Sequence, residues 1–416
     1  MDPESLPLDL AAVRSEFPGL SREVQGRPAV FFDGPAGSQV PKRVADAVSH
    51  YLLHLNANEG GTFDTSLRTE EMLAAARDAL GSFVGAAHSQ EEVVFGPNMT
   101  SLTFAFSRAF AQELGPGDEV IVSSTEHDAN FTPWVRAAEE AGATVLQVDA
   151  VQPDCRTDLV DLESKLSDRT RLVAVGMASN AVGSVNPIRA IADRVHAVGA
   201  QLWVDAVHYA PHGPIDVQAL DCDYLVVSTY KFFGPHVGVL WGRRELLAQL
   251  NPFKVRPAPQ EGPDRWMTGT PNLEGIAGAA EAVRYLADLG SRGDSLRERL
   301  MSAWERIEAH ERALFGRLLE GVSKLPGYRV WGIADPRKMQ HRVPTLSLTH
   351  ARIPAKELAH RLGQEGIFAW GGNHYAVPLT ETLGLEPDGT LRVGLLHYNT
   401  AEEVERLLAA LARYDA

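Results

Sequence analysis

QLWVDAVHYAPHGPIDVQALDCDYLVVSTYKFFGPHVGVLWGRR, residues 201–244, decides how the rest of the chain is read. Three short apolar runs, 201–207, 223–228 and 237–241, are separated by polar turns marked with Pro and Gly, the pattern of strands joined by loops. Each run ends at a group with chemistry. Asp205 lies near the end of the first, with His208 three residues later. Ser228, Tyr230 and Lys231 follow the second, and Gly234 and Pro235 turn the chain into the third. That last turn is too short for a parallel crossover, so the third strand is expected to be antiparallel. A lysine just past an apolar strand loses water, and its pKa falls. A lone lysine is more often a snorkelling surface residue; here the surroundings argue for the rarer arrangement.

Towards the N-terminus, apolar runs at 93–96, 119–124, 144–148 and 171–177 alternate with helical stretches at 101–112, 130–141, 159–165 and 187–197. This alternation predicts an α/β domain with a mainly parallel, seven-stranded sheet covered by helices. Helical periodicity also marks 9–17, 41–55 and 66–84, and FFDGPAG at 31–37 reads as a brief strand entering a small-residue loop. Residues 275–324 read as helix, with charge runs that suit a long exposed one. The remainder mixes strands (345–348, 391–395) with helices (355–365, 401–414), a smaller α+β domain. The expected division is a large domain over 34–280 and a small one assembled from 1–33 and 281–416.

Composition narrows the function. The chain has 416 residues, 44% hydrophobic and 22% charged, with a net charge of −15, which argues against nucleic acid or an anionic membrane as partner. Two cysteines, Cys155 and Cys222, make neither a disulfide framework nor a metal-ligand pattern. The start, MDPESLPLDLAAVRSEF, is acidic and amphipathic rather than a signal peptide, and no stretch approaches the length of a membrane span. A cytoplasmic enzyme is the expectation.

In α/β sheets ligands collect beyond the carboxyl ends of the strands, and polar groups recur there. After 93–96 comes PNMTS opening a helix, where free amides and a hydroxyl make a phosphate seat, unless Thr100 or Ser101 simply caps the helix. After 119–124 comes His127, either stacked on an aromatic cofactor or a hydrogen-bonded structural residue. After 171–177 comes Asn180, which bonds a ligand hydroxyl or its own backbone in an Asx turn. His208 and His212 have i,i+4 spacing, but Pro211 breaks a helix between them and no carboxylate completes a metal site. No P-loop and no GxGxxG follows a strand, so nucleotide readings lack support. A lysine able to form a Schiff base, with an acid placed to hold a pyridinium nitrogen, is the protein's share of pyridoxal 5'-phosphate (PLP) chemistry.

VDAVH around Asp205, STYKFFGP around Lys231, STEHDANFTPW around His127, ASNAVGSVNP around Asn180, TGTPN around Thr270 and LRVGLLHYNT around Arg392 occur in one order over about 31–411. In these pieces the chain resembles the fold-type I PLP enzymes of the class V aminotransferase family, in its cysteine desulfurase-like branch. The resemblance implies a Schiff-base and proton-transfer role for Lys231, a pyridine-nitrogen partner in Asp205, and stacking by His127. It implies that Asn180 and His208 flank the ring hydroxyl, and that Met99, Thr100, Ser228 and Tyr230 hold the phosphate. Thr270 would reach the phosphate of a neighbouring subunit in a homodimer, and Arg392 would grip the α-carboxylate of an amino-acid substrate as a bidentate fork. Two departures stand out. Where the family's desulfurases carry a catalytic cysteine in a loop like RTGHHCAMP, this chain reads WGGNHYAVP at 370–378, with Tyr375 in the cysteine's place. The segment NANEGGTFDTS also lacks the His-Arg pair common after NAN. His374 and Tyr375 are either acid/base groups acting on substrate or packing residues. The function implied is a C–S β-elimination lyase working through a Cα carbanion. The alternatives are a class V aminotransferase, an epimerase, and, from another class, a catalytically silent scaffold with a PLP fold.

Overall fold

Strands rich in Val, Ile and Leu call for cover on both faces, and the computed structural model, which describes residues 7–415, shows that cover for all but the edge strand 144–148. Seven strands form the large sheet: β1 (Val93–Gly96), β2 (Glu119–Ser123), β3 (Thr144–Val148), β4 (Thr170–Gly176), β5 (Gln201–Asp205), β6 (Tyr224–Ser228) and β7 (Gly238–Gly242). Their order is β1-β7-β6-β5-β4-β2-β3. β7 runs antiparallel to β6 and to β1, and the other pairings are parallel. The antiparallel strand expected after Lys231 is therefore β7. One apolar core, with Val173, Val204, Val227 and Phe83, lies on one face, and another, with Trp134, Trp203 and Tyr224, on the other.

A second sheet of β8 (Tyr328–Trp331), β9 (Thr345–His350), β10 (Trp370–Gly372) and β11 (Thr390–Gly394) has the order β8-β9-β11-β10 and is antiparallel throughout. It has its own core, including Leu346, Leu391, Val393 and Leu407. Val30–Phe31 pairs in parallel with Ile367–Phe368, which ties the N-terminal segment to this half of the chain. Two of its strands, β8 and β10, were not expected from sequence.

The long helical stretch is two helices, Leu273–Asp288 and Leu296–Ser323, and the second is not an exposed charged rod. Ser295 caps it in a reciprocal capping box with Glu298. One side buries Leu300, Trp304, Ile307, Phe315 and Leu318, and even Glu311 is buried, its Oε2 2.9 Å from Nδ1 of His212. A carboxylate therefore does reach His212, although among the described residues no group of three or more His, Cys, Asp or Glu is placed to hold a metal. No helix of the described residues is long and apolar enough to cross a membrane.

Trp304 is 1% exposed and packs on Phe83 at 5.3 Å between ring centroids. Trp304→Ala leaves a cavity that neither helix can close, and is expected to cost about 3–5 kcal/mol. Urea unfolding should show a lowered midpoint with an unchanged slope; a loss below about 1 kcal/mol would mean that the helix is not anchored there.

Candidate functional site

The carboxyl ends of β1, β2, β4, β5 and β6 open into one chamber of about 500 Å³. Asn98, Thr100, His127, Asn180, Asp205, His208, Ser228, Tyr230 and Lys231 are on its wall. Thr270 is not; it lies exposed at the surface. Of the remaining expected residues, Met99 lines this chamber, while Arg392, His374 and Tyr375 line a second, outer chamber of about 570 Å³. The two share Thr100, His127, Asn180, Tyr230 and Lys231, so they are one continuous space.

At one end, the helix Met99–Phe110 starts straight out of β1. Its cap is Asn98, whose Oδ1 accepts from the Ser101 amide at 2.8 Å, rather than Thr100 or Ser101. The Met99 amide donates to Ser228 Oγ at 2.9 Å, linking β6 to the helix start. The Thr100 amide is left without an acceptor among the described residues.

Asp205, on the last position of β5, is 8% exposed, and its Oδ1 accepts from the Val207 amide at 2.8 Å. Burial pushes its carboxyl up to about 6, against the pull of that amide and of Lys231. Lys231 follows β6 on a single tight turn, Thr229–Lys231. Its Nζ donates to the carbonyls of Pro35 and Ala36 and lies 5.0 Å from the Tyr230 ring centroid. Burial, then the positive charge of Arg392, lowers its pKa from the ordinary 10.5 to about 7, with Asp205 pulling the other way. An amine in that state is a nucleophile and a base near neutral pH.

His127 Nδ1 accepts from the Ala129 amide at 3.0 Å, so any ring proton of the neutral form sits on Nε2. Burial, and then Lys231 and Arg392, lowers its pKa to about 4, and the ring is neutral. Tyr375 stacks on it with centroids 5.5 Å apart and planes 15° apart. His208 Nε2 lies 3.0 Å from Thr345 Oγ1, and burial holds its pKa well below the ordinary value. Asn180 donates through Nδ2 to the His374 carbonyl at 2.7 Å, while its Oδ1 is buried with no partner.

Arg392 sits on β11 opposite Trp370 of β10. It is buried, donates to the Asn180 carbonyl at 2.9 Å, and burial lowers its pKa to about 9, with Asp33 opposing that. His374 and Tyr375 both have φ of 58°, two successive side-chain-bearing residues in the left-handed region, a costly conformation of the kind found at functional loops. His374 Nε2 lies 3.0 Å from the Thr390 carbonyl oxygen, and burial drives its pKa to about 2. It is a neutral donor fixed to β11. Tyr375 is 72% exposed at the chamber mouth.

Sequence reasoning passed over several groups. Glu126, beside His127, lines the inner chamber with its carboxyl pushed by burial up to about 8, accepting from Gly176 N and Asn130 Nδ2. Its position in STEHDAN was the available signal. The Pro35 and Ala36 carbonyls that hold Lys231 lie nearly two hundred residues away in sequence and carry no side-chain signal. Lys356 was likewise invisible as a member.

The model of the family described as Aminotransferase class-V matches residues 30–407. A cysteine desulfurase of Synechococcus elongatus is 34% identical over 97% of this chain, which spans 63% of that protein's length, just under two thirds. A probable cysteine desulfurase of Vibrio cholerae is 32% identical over 97% of this chain and 98% of its own. The solved apo structure of a cysteine desulfurase from Thermococcus onnurineus superposes with a TM-score of 0.87 at 28% identity, covering 99% of this chain and 98% of that one.

Proposed function

This chain belongs to the aminotransferase class-V family, and from that premise we propose that it is a cysteine desulfurase-like PLP enzyme that cleaves the Cβ–S bond of an α-amino acid. The observation that carries the proposal is Lys231: an amine with its pKa brought down to about 7, on the wall of a chamber that also holds Asp205 and an open helix start.

The residues fit PLP. The free Thr100 amide, with the Thr100 and Ser228 hydroxyls, suits a phosphate dianion. Asp205 suits a pyridinium nitrogen, the unpartnered Oδ1 of Asn180 and the His208 ring suit a ring hydroxyl, and the flat neutral face of His127 suits the ring itself. PLP, when bound, supplies the electron sink that makes a Cα carbanion accessible. Lys231 then takes the proton from the substrate Cα. The S-substituted amino acid and one water would give the thiol, a 2-oxo acid and ammonium, with Lys231 the group that moves the Cα proton. Arg392 holds the α-carboxylate from the outer chamber, and the carbonyls of Pro35 and Ala36 fix where the Lys231 amine stands.

A route through a protein persulfide lacks support here. Cys155 and Cys222 are buried, neither lines a chamber, and burial pushes both thiols up, Cys155 to about 11. The loop that carries the nucleophile in the resembling desulfurases has Tyr375 instead. A homodimer in which Thr270 reaches the partner's phosphate is supported by the exposure of Thr270 and of apolar Leu53, Phe63 and Phe253. For a large domain over 34–280, with 1–33 and 281–416 forming the small one, the separate core of the four-stranded sheet is support, although Leu8, Val13, Phe17, Leu300 and Trp304 pack in the large-domain core; residues 1–6 and 416 lie outside the described residues.

Purified protein loaded with PLP should convert S-substituted L-cysteines to pyruvate and the matching thiol in equal amounts. Alanine as the product, amino transfer to a 2-oxo acid, or epimerisation without release would each overturn the lyase reading.

A further inference from the structure

The outer chamber is electrostatically one-sided. In a chain with 54 acidic residues, no Asp or Glu lines it, while Lys231, Lys356 and Arg392 all do. His374 and His127 on the same wall are neutral. Under the function proposed above, Lys231 is committed to the cofactor and Arg392 to the α-carboxylate. Lys356 is then left over.

Nothing in its own helix, Ala355–Gln364, uses it. Glu357, next in sequence, is bound to Arg361 at 2.7 Å, and His360, one turn on, contacts Gln364 at 3.1 Å. Lys356 has no hydrogen bond or ion pair among the described residues, and its stem runs beside Gly372 at the end of β10. Two aromatic side chains that the fold does not bury, Trp370 and Tyr375, 55% and 72% exposed, line the same chamber. At about 570 Å³ the outer chamber alone falls in the range that accepts a drug-sized ligand. A cation without a partner and two exposed aromatics in the chamber that holds the α-carboxylate clamp describe a subsite for a substrate side chain.

We infer that the preferred substrate is an α-amino acid whose side chain extends past the scissile sulfur and ends in an anionic group, carboxylate or sulfonate, with Lys356 as the residue that selects it. This rests on the lyase reading of the inner chamber and specifies what the outer one takes.

The probe pair is S-carboxymethyl-L-cysteine and its neutral isostere S-carbamoylmethyl-L-cysteine, given to the PLP-loaded protein. The expected result is a kcat/KM on the order of five- to tenfold higher for the acid, mostly in KM, with the ratio falling to near one in Lys356→Gln. The preference should also weaken with added salt. S-(2-sulfoethyl)-L-cysteine separates a general anion subsite from one shaped for carboxylate. Binding is read independently from Trp370, the one largely exposed tryptophan among the described residues, by protection from acrylamide quenching, with Trp370→Phe as the control. A wild-type ratio near one, or a ratio that survives Lys356→Gln, overturns the inference. If no compound yields pyruvate, the lyase reading fails by itself, and the quenching titration still decides whether Lys356 prefers the anion.

Discussion

Lys231→Ala is expected to reduce turnover on the order of 10³-fold or more, because one substitution removes both the amine that holds the cofactor and the base that works at Cα. Borohydride treatment should fix PLP covalently to the wild-type protein and leave none on the variant. Covalent PLP on Lys231→Ala would move the assignment to another lysine. A second consequence concerns stability of the cofactor-free protein. The folded-state pKa of Lys231, about 7, lies below the unfolded value of 10.5. Between those values the unfolded chain binds more protons, so stability rises with pH through that window, and below pH 7 the folded protein carries the whole penalty of the buried ammonium. Removing the side chain lifts that penalty. The cofactor-free variant should therefore melt higher than wild type near pH 6, with the gain fading as the pH approaches 10. A variant that melts lower at pH 6 would mean that the bonds from Nζ to Pro35 and Ala36 outweigh the burial of the charge.

The chemistry at the strand ends was legible because it is local. Asp205, Ser228 and Lys231 each follow an apolar run within a few residues, and strand polarity then forces their side chains to one edge of the sheet. What was not legible depends on contacts across the chain. β10 is Trp-Gly-Gly, with no alternation to read; Gly371 is required because a Cβ there would stand 2.5 Å from the Ala355 carbonyl oxygen, a neighbour only in space. The helix Leu296–Ser323 looked exposed because its charges are real, but its buried stripe meets Phe83, from a helix two hundred residues earlier. Lys356 had no signal at all: an exposed lysine in the first turn of a helix looks like any surface charge until the fold sets it in the same chamber wall as Trp370 and Arg392.

Arg392→Ala is expected to lower kcat/KM for an α-amino acid about 10- to 100-fold, the worth of a charge-assisted fork on a buried carboxylate of about 1.5–3 kcal/mol. Most of the loss should fall in KM, with PLP content unchanged, since Arg392 lines the outer chamber and not the inner one. Arg392→Lys should recover only part of it, because an ammonium offers one point of charge where the guanidinium offers two parallel donors. The substitution also reaches the base. Arg392 is the second cause, after burial, of the low pKa of Lys231, and its positive charge disfavours a second one nearby. Without it the Lys231 pKa rises, so less free amine is present at pH 7. Covalent uptake of PLP by the cofactor-free protein needs that free amine, and its rate should climb through pH 7 in the wild type and only at higher pH in Arg392→Ala. Asp33 responds in the same direction: its buried carboxyl, raised to about 6, loses the cation that was lowering it and becomes neutral over a wider range, which spares the variant an unpaired buried anion. An unshifted uptake curve together with an unchanged KM would remove Arg392 from the site; a shifted curve with an unchanged KM would leave it tuning Lys231 while some other group holds the carboxylate.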